Sequence, residues 1–269
     1  MMWNAVNGKL NLHDGEMDYI RFGTGNRTMV MLPGASDGLK TVKGMALTFA
    51  LLYRSLTRDF TVYAFSRRNN LAPHRTTRQM AEDVSEAMTK LGISRADIVG
   101  VSMGGMIAQW LAADHPEQVN HLVLAVTAAR ANPVSQAVLE HWMELARKGD
   151  YPAIMLDTAR KSYSAKRVKS AELTSRLMGN IGKPKSFDRF LIQMEACRNH
   201  DAYDVLSSIS APTLVIGGTD DQIVTAEGSR ELAEQIPGSQ LVLYEGLGHG
   251  LYEEAPDFWE RTARFCTGG

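Results

Sequence analysis

The stretch Ile98-Val99-Gly100-Val101-Ser102-Met103-Gly104-Gly105 narrows the range of folds more than any other part of the chain. An apolar run stops at a glycine, presents a hydroxyl, and restarts as a helical pattern. A turn that sharp brings neighbouring backbone so close that side chains beside the serine would collide with it, and it pushes the serine Oγ out of the sheet edge. Ser102 is therefore the first candidate nucleophile. Because G-x-S-x-G also arises by chance, its weight rests on its surroundings.

Those surroundings alternate strand and helix. Lys9 to Leu12 and Glu16 to Phe22 read as a hairpin turned near Asp14-Gly15. Met29 to Leu32 and Phe60 to Phe65 read as buried strands, with a helix expected over Leu39 to Leu56 between them. Thr76 or Thr77 caps a helix whose Met80, Val84, Ala87, Met88 and Leu91 share one face, stopped by Gly92. Ala96 to Val101 is the strand before Ser102, Met103 to Ala113 the helix after it, and His121 to Val126 the next strand. The alternation predicts an α/β fold, a mostly parallel eight-stranded sheet covered by helices on both faces.

From Ala128 the pattern changes. Helical periodicity runs over Pro133 to Lys148, Tyr151 to Tyr163, Val168 to Met178 and Phe187 to Cys197, and no clear strand returns before Thr213 to Ile216 and Gln240 to Tyr244. Residues 128–205 are expected to form an inserted helical cap on a core made of 1–127 and 206–269. The insertion carries 13 Lys/Arg against 9 Asp/Glu, whereas the remainder carries 16 against 21. That local excess points weakly to an anionic substrate; scattered solvated lysines explain it equally well.

The net charge of -1 argues against nucleic acid as a partner. Apolar runs such as Leu122 to Val126 are too short to span a membrane, and Met1 to Asn7 lacks a basic stretch followed by an apolar one, so a cytoplasmic location is expected. Cys197 and Cys266 have no metal-ligand or redox spacing and read as reduced thiols. No histidine pair has zinc-ligand spacing, and Gly23-Thr24-Gly25 lacks the spacing of a dinucleotide site, so neither metal nor cofactor is expected. Nothing in the sequence indicates a homodimer.

A serine hydroxyl needs a base to take its proton and a third group to orient that base. His249, bracketed by Gly248 and Gly250 after the last strand, is the candidate base. Asp221, in Gly218-Thr219-Asp220-Asp221-Gln222-Ile223-Val224, is the candidate acid, with Asp220 competing for the role. In a parallel sheet all strand carboxyl ends face one way, so the three residues meet above one edge despite their separation in sequence. The Met103 and Ala35 N–H groups are the candidate oxyanion donors. Gly34 and Ser36 in the same loop, with Trp142, Tyr163 and Phe190 in the insertion, are the candidate contacts to a small-molecule substrate. Met143, Met155, Phe187 and Met194 add apolar surface there, shared between an acyl pocket and helix packing.

Along nearly its whole length the chain resembles the α/β-hydrolase fold superfamily. Gly100 to Gln109, His115-Pro116-Glu117-Gln118-Val119 and Leu122-Val123-Leu124 look like its esterase and 3-oxoadipate enol-lactonase-like branch, which carries a helical cap. The resemblance implies a cofactor-independent hydrolase working through an acyl-serine intermediate. It departs at Pro33-Gly34, where the family usually has His-Gly, and at Ser66-Arg67-Arg68-Asn69-Asn70-Leu71-Ala72, which stands for D-x-R-G-x-G-x-S. A serine at 102 argues against the dehalogenase and epoxide-hydrolase branches, which use aspartate there. The expected substrate is an ester, thioester or lactone. The alternatives are carbon-carbon bond hydrolysis or a lyase reaction with the same triad, and a low-turnover small-molecule receptor.

Overall fold

The computed structural model describes residues 2–268. One eight-stranded sheet contains β1 (Val6–Leu12), β2 (Gly15–Phe22), β3 (Arg27–Leu32), β4 (Phe60–Arg68), β5 (Ala96–Val101), β6 (Val119–Ala125), β7 (Thr213–Gly218) and β8 (Gln240–Tyr244). Its order is β1-β2-β4-β3-β5-β6-β7-β8, parallel from β4 to β8, with β1 and β2 added antiparallel at one edge. Leu12 pairs with Gly15, so His13-Asp14 forms the hairpin turn, and Gly15 takes a φ of 123° that other residues seldom adopt.

Alternation along the parallel strands feeds two cores. Val30, Leu32, Ile98, Leu122, Leu124 and Val215 pack with α2 (Thr77–Lys90), α3 (Met103–Asp114) and α8 (Thr225–Gln235) on one face. Their neighbours Met29, Met31, Val99, Val123, Leu214 and Ile216 pack with α1 (Ala46–Leu52) and α10 (Phe258–Thr267) on the other. Thr76 caps α2 in a reciprocal box, its hydroxyl accepting the Gln79 N–H while Gln79 Oε1 accepts the Thr76 N–H at 3.0 Å.

The helix expected over Leu39 to Leu56 shrinks to α1 and a 3-10 turn at Arg54–Leu56. Gly44 has a φ of 81°, outside the helical region. The segment before it is committed elsewhere, with the Val42 N–H on Ser66 Oγ at 2.9 Å and the Thr41 hydroxyl on Asp18 at 2.9 Å. Strand β4 runs on to Arg68 because its pairing with β2 continues to Met17.

Between β6 and β7 the chain makes four helices, α4 (Pro133–Arg147), α5 (Tyr151–Ser162), α6 (Ala165–Met178) and α7 (Asp188–Arg198). The outgoing and returning chains lie side by side, Arg130 bridging to Asp201 and the Ala202 N–H donating to Ala129 O at 2.9 Å. Buried Val138, Leu139, Trp142 and Met143 of α4 and Phe190 and Met194 of α7 join the same apolar cluster as α3. The inserted helices are thus packed into the molecule.

Candidate active site

Ser102 sits between β5 and α3 with φ 54° and ψ -120°, a conformation that costs a non-glycine residue on the order of 1–3 kcal/mol. Its surroundings explain the glycines. A Cβ on Gly104 would lie 1.9 Å from Leu32 O, one on Gly100 2.6 Å from Gly104 O, and one on Gly105 2.5 Å from Thr127 Cγ2. The Ser102 N–H donates to Ala125 O at 2.9 Å, which ties the strained residue to β6.

His249 and Asp221 come to Ser102 from the ends of β8 and β7. His249 Nε2 lies 2.9 Å from Ser102 Oγ, and His249 Nδ1 lies 2.8 Å from Asp221 Oδ2. The other Asp221 oxygen accepts the N–H groups of Ile223 and Val224 at 2.8 and 3.1 Å. Burial alone would raise the Asp221 carboxyl, but the adjacent His249 and the two backbone donors outweigh it and hold the group below the ordinary carboxylate range. An ionised Asp221 only accepts, so His249 Nδ1 must be the donor and Nε2 is left to accept the serine proton. Asp220 is exposed and accepts the Thr219 hydroxyl at 3.0 Å, so Asp221 is the carboxylate that the fold brings to His249.

The loop after β3 passes directly beside the serine. A Cβ on Gly34 would lie 3.4 Å from Ser102 Cβ. Ala35 opens the 3-10 turn Ala35–Gly38 and Met103 opens α3. First-turn N–H groups have no intrahelical carbonyl to donate to, so both are available to a ligand beside Ser102.

A cavity of about 590 Å³ opens over these groups. Gly34, Ser36, Trp142, Tyr163 and Phe190, the expected substrate contacts, all line it, as does Met155. Met143, Phe187 and Met194 are not among its described lining residues. Met194 is fully buried in helix packing. Tyr252, Ser162 and Ile223 also line the cavity, and the sequence carries no signal for them beyond the nearness of Tyr252 to His249 and of Ile223 to Asp221. The charged pair on its wall is Arg167 and Glu253, 3.0 Å apart, with the Arg167 guanidinium 4.6 Å from the Tyr163 ring centre.

The corner between α5 and α6 rests on the loop that carries His249 and on α9 (Leu251–Glu254). The Gly250 N–H donates to Ser162 O at 2.8 Å, the Tyr163 hydroxyl to Glu253 at 3.0 Å, and the Ser164 N–H to Glu254 Oε2 at 3.1 Å. A Cβ on Gly250 would lie 2.3 Å from the Tyr163 ring. The glycine after His249 is thus set by the inserted helices.

The remaining histidines and both cysteines lie elsewhere. His200 is buried beside Thr77 Oγ1 at 2.8 Å, and burial pushes it down to about 3, which keeps it neutral. Cys197 and Cys266 are free and buried, and burial pushes the Cys197 thiol up to about 12. Among the described residues no helix is long and apolar enough to cross a membrane.

Residues 28–256 match the family described as the alpha/beta hydrolase fold. The chain belongs to that family. RutD of Caulobacter sp. (strain K31), to which carbamate hydrolysis is ascribed, is 28% identical over 207 residues, or 76% of this chain and 77% of the relative. The 2-hydroxy-6-oxononadienedioate/2-hydroxy-6-oxononatrienedioate hydrolase of Pseudomonas sp is 24% identical over 271 residues, or 97% of this chain and 92% of the relative. Among solved structures, the enol-lactonase from Burkholderia xenovorans LB400 is similar at a TM-score of 0.83 and 25% identity, covering 97% of this chain and all of the other. These alpha/beta hydrolase relatives make the chain a hydrolase of the same fold.

Proposed function

We propose that this alpha/beta hydrolase is a serine hydrolase that cleaves a carboxylic ester, thioester or lactone with a neutral, partly apolar acyl group. The observation that carries the reading is the continuous Ser102-His249-Asp221 relay, with separations of 2.9 and 2.8 Å, at the floor of a cavity of about 590 Å³. That volume lies within the range of roughly 300–1,000 Å³ of small-molecule pockets. In this reading residues 128–205 act as the cap that roofs the pocket, and no cofactor takes part.

His249 Nε2 takes the Ser102 proton as Oγ attacks the carbonyl carbon. The carbonyl π electrons move to oxygen, and the Ala35 and Met103 N–H groups receive the resulting oxyanion. Collapse of the tetrahedral intermediate expels the alcohol or thiol, protonated by the His249 imidazolium. Water then enters, gives its proton to His249, and attacks the acyl-serine; a second collapse releases the acid and restores Ser102. Asp221 stays ionised throughout, fixing the imidazole and offsetting its positive charge.

The wall chemistry supports a neutral acyl group over the anionic one that the basic insertion suggested. Arg167 is engaged by Glu253, and Lys166, Lys169, Lys183 and Lys185 are exposed. Leu39, Trp142, Ile154, Leu156 and Phe190 make the wall mainly apolar. The test is a series of p-nitrophenyl esters from acetate to octanoate. Turnover that rises with acyl length, together with fluorophosphonate labelling, both lost in Ser102→Ala, is the expected result. No turnover and no labelling of the native chain would overturn the reading.

A further inference from the structure

A buried cluster of charge lies behind the loop between β3 and the turn Ala35–Gly38. Arg67, 3% exposed at the end of β4, donates from its guanidinium to Pro33 O. Its backbone N–H donates to Asp37 Oδ2 at 3.0 Å. Arg189 enters from α7 and spreads its guanidinium over four acceptors. Nε donates to Arg68 O at 2.9 Å and Nη2 to Arg67 O at 3.0 Å, while further bonds reach Asp37 O and the Asp37 carboxylate. Asp37 in turn donates its N–H to Gly34 O at 3.2 Å. Helix α7 also abuts the turn directly, because a Cβ on Gly38 would lie 2.8 Å from Phe190 Cα.

These contacts hold the peptide group that carries the Ala35 N–H, through Gly34 O, and the peptide before it, through Pro33 O. Pro33 O is held from beneath by Arg67, and Gly34 O is held by Asp37, whose own orientation depends on Arg189. The Gly34-Ala35 peptide cannot rotate its N–H away from Ser102 without breaking the Asp37 N–H bond to Gly34 O, and the peptide before it is anchored by the charge-assisted bond from Arg67, a type worth about twice a neutral one. The planar guanidinium fork of Arg189 suits this task, since a lysine offers a point charge in place of several fixed donors. Phe190, next to Arg189, lines the substrate cavity.

We infer that Arg67 and Arg189 are positioning residues that set the oxyanion donor at Ala35, and that Arg189 makes the donor's geometry depend on how the inserted helices seat on the core. This rests on the acyl-serine reading above.

The test compares the native chain with Arg189→Met and Arg189→Lys. Three quantities are measured: kcat and KM for p-nitrophenyl butyrate, the inhibition constant of an alkyl trifluoromethyl ketone, whose serine adduct carries an oxyanion, and amide hydrogen exchange over residues 33–39. Loss of one oxyanion donor lowers kcat by about 10²–10³-fold. Arg189→Met is expected to approach that loss, to weaken the ketone in proportion, to leave KM within about twofold, and to speed exchange over 33–39. Arg189→Lys is expected to recover part of each, and it decides the matter if Arg189→Met does not fold. Unchanged kcat, ketone inhibition and exchange in a folded variant overturn the inference. A native chain that neither turns over ester nor binds the ketone overturns the acyl-serine reading instead, and exchange over 33–39 still reports whether Arg189 holds the loop.

Discussion

Asp221 divides its two oxygens between different tasks: Oδ2 meets His249 Nδ1 at 2.8 Å, and Oδ1 is pinned by the Ile223 and Val224 N–H groups. The backbone pair fixes the carboxylate plane, so the remaining oxygen can meet the imidazole at one angle only. Asp221→Asn keeps the shape but offers no fixed acceptor to Nδ1–H, and the imidazole can adopt the wrong tautomer. By analogy with other serine triads kcat is expected to fall about 10⁴-fold with KM little changed. Asp220→Asn should stay within about twofold. Steady-state kinetics on p-nitrophenyl butyrate check both, and equal losses in the two variants would count against Asp221 as the orienting acid.

The same carboxylate has a signature in stability. Its pKa in the folded chain lies below the ordinary value of 3.8, so its contribution is fully present well above that value and is lost as pH falls through the folded pKa. His200 adds to acid sensitivity over a higher window. Folded, it is pushed down from 6.5 to about 3. The unfolded chain therefore binds a proton there that the folded chain refuses, and stability declines as pH drops from about 6.5 toward about 3, by about 1.4 kcal/mol per unit. Denaturant unfolding at pH 7.5 and 5.0 is expected to show the native chain losing about 2 kcal/mol more than His200→Asn. Parallel losses would refute the assignment.

Gly104→Ala places a methyl group 1.9 Å from Leu32 O, where the obstacle is backbone. Overpacking of this kind costs roughly 1–3 kcal/mol, and relief requires β3 and α3 to part. The variant is expected to melt at lower temperature and to lose fluorophosphonate labelling of Ser102. Retention of both stability and labelling would mean that the turn is looser than the geometry indicates.

Freeing the cation on the cavity wall should change selectivity. Glu253→Gln removes the charge 3.0 Å from Arg167, so a carboxylate-tipped ester gains a partner that the native chain withholds. An exposed pair is worth up to about 1 kcal/mol, which corresponds to a gain of about fivefold in kcat/KM for a hemisuccinate ester relative to the butyrate ester. A constant ratio of the two substrates would show that Arg167 does not reach the acyl end.

Legibility in the sequence tracked how local each constraint is. The turn at Ser102 is readable because its glycines and the strand and helix around it are contiguous, and His249 and Asp221 are readable because they lie in the loops that follow strands. The helix expected over Leu39 to Leu56 exceeds α1 because its apolar spacing hides the bonds from Thr41 to Asp18 and from Val42 to Ser66. The Asp37-Arg67-Arg189 cluster cannot be assembled from the sequence, which marks only the segments around Pro33 and Arg67 as unusual. Its members stand on a turn, a strand end and an inserted helix, and only the fold brings them together. Tyr252 and Glu253 follow His249 closely, and that proximity was the one available hint that they would line the cavity.

The bonds from Ser162, Tyr163 and Ser164 to Gly250, Glu253 and Glu254 bear on how such a protein can be re-engineered or diverge. The inserted helices cannot be exchanged as an independent module, because the corner between α5 and α6 is fitted to the segment that follows His249. A chimera that transplants the inserted helices from a relative will need residues 248–254 from the same donor. Drift in substrate preference along this lineage should accordingly proceed by paired changes on the two sides of that junction.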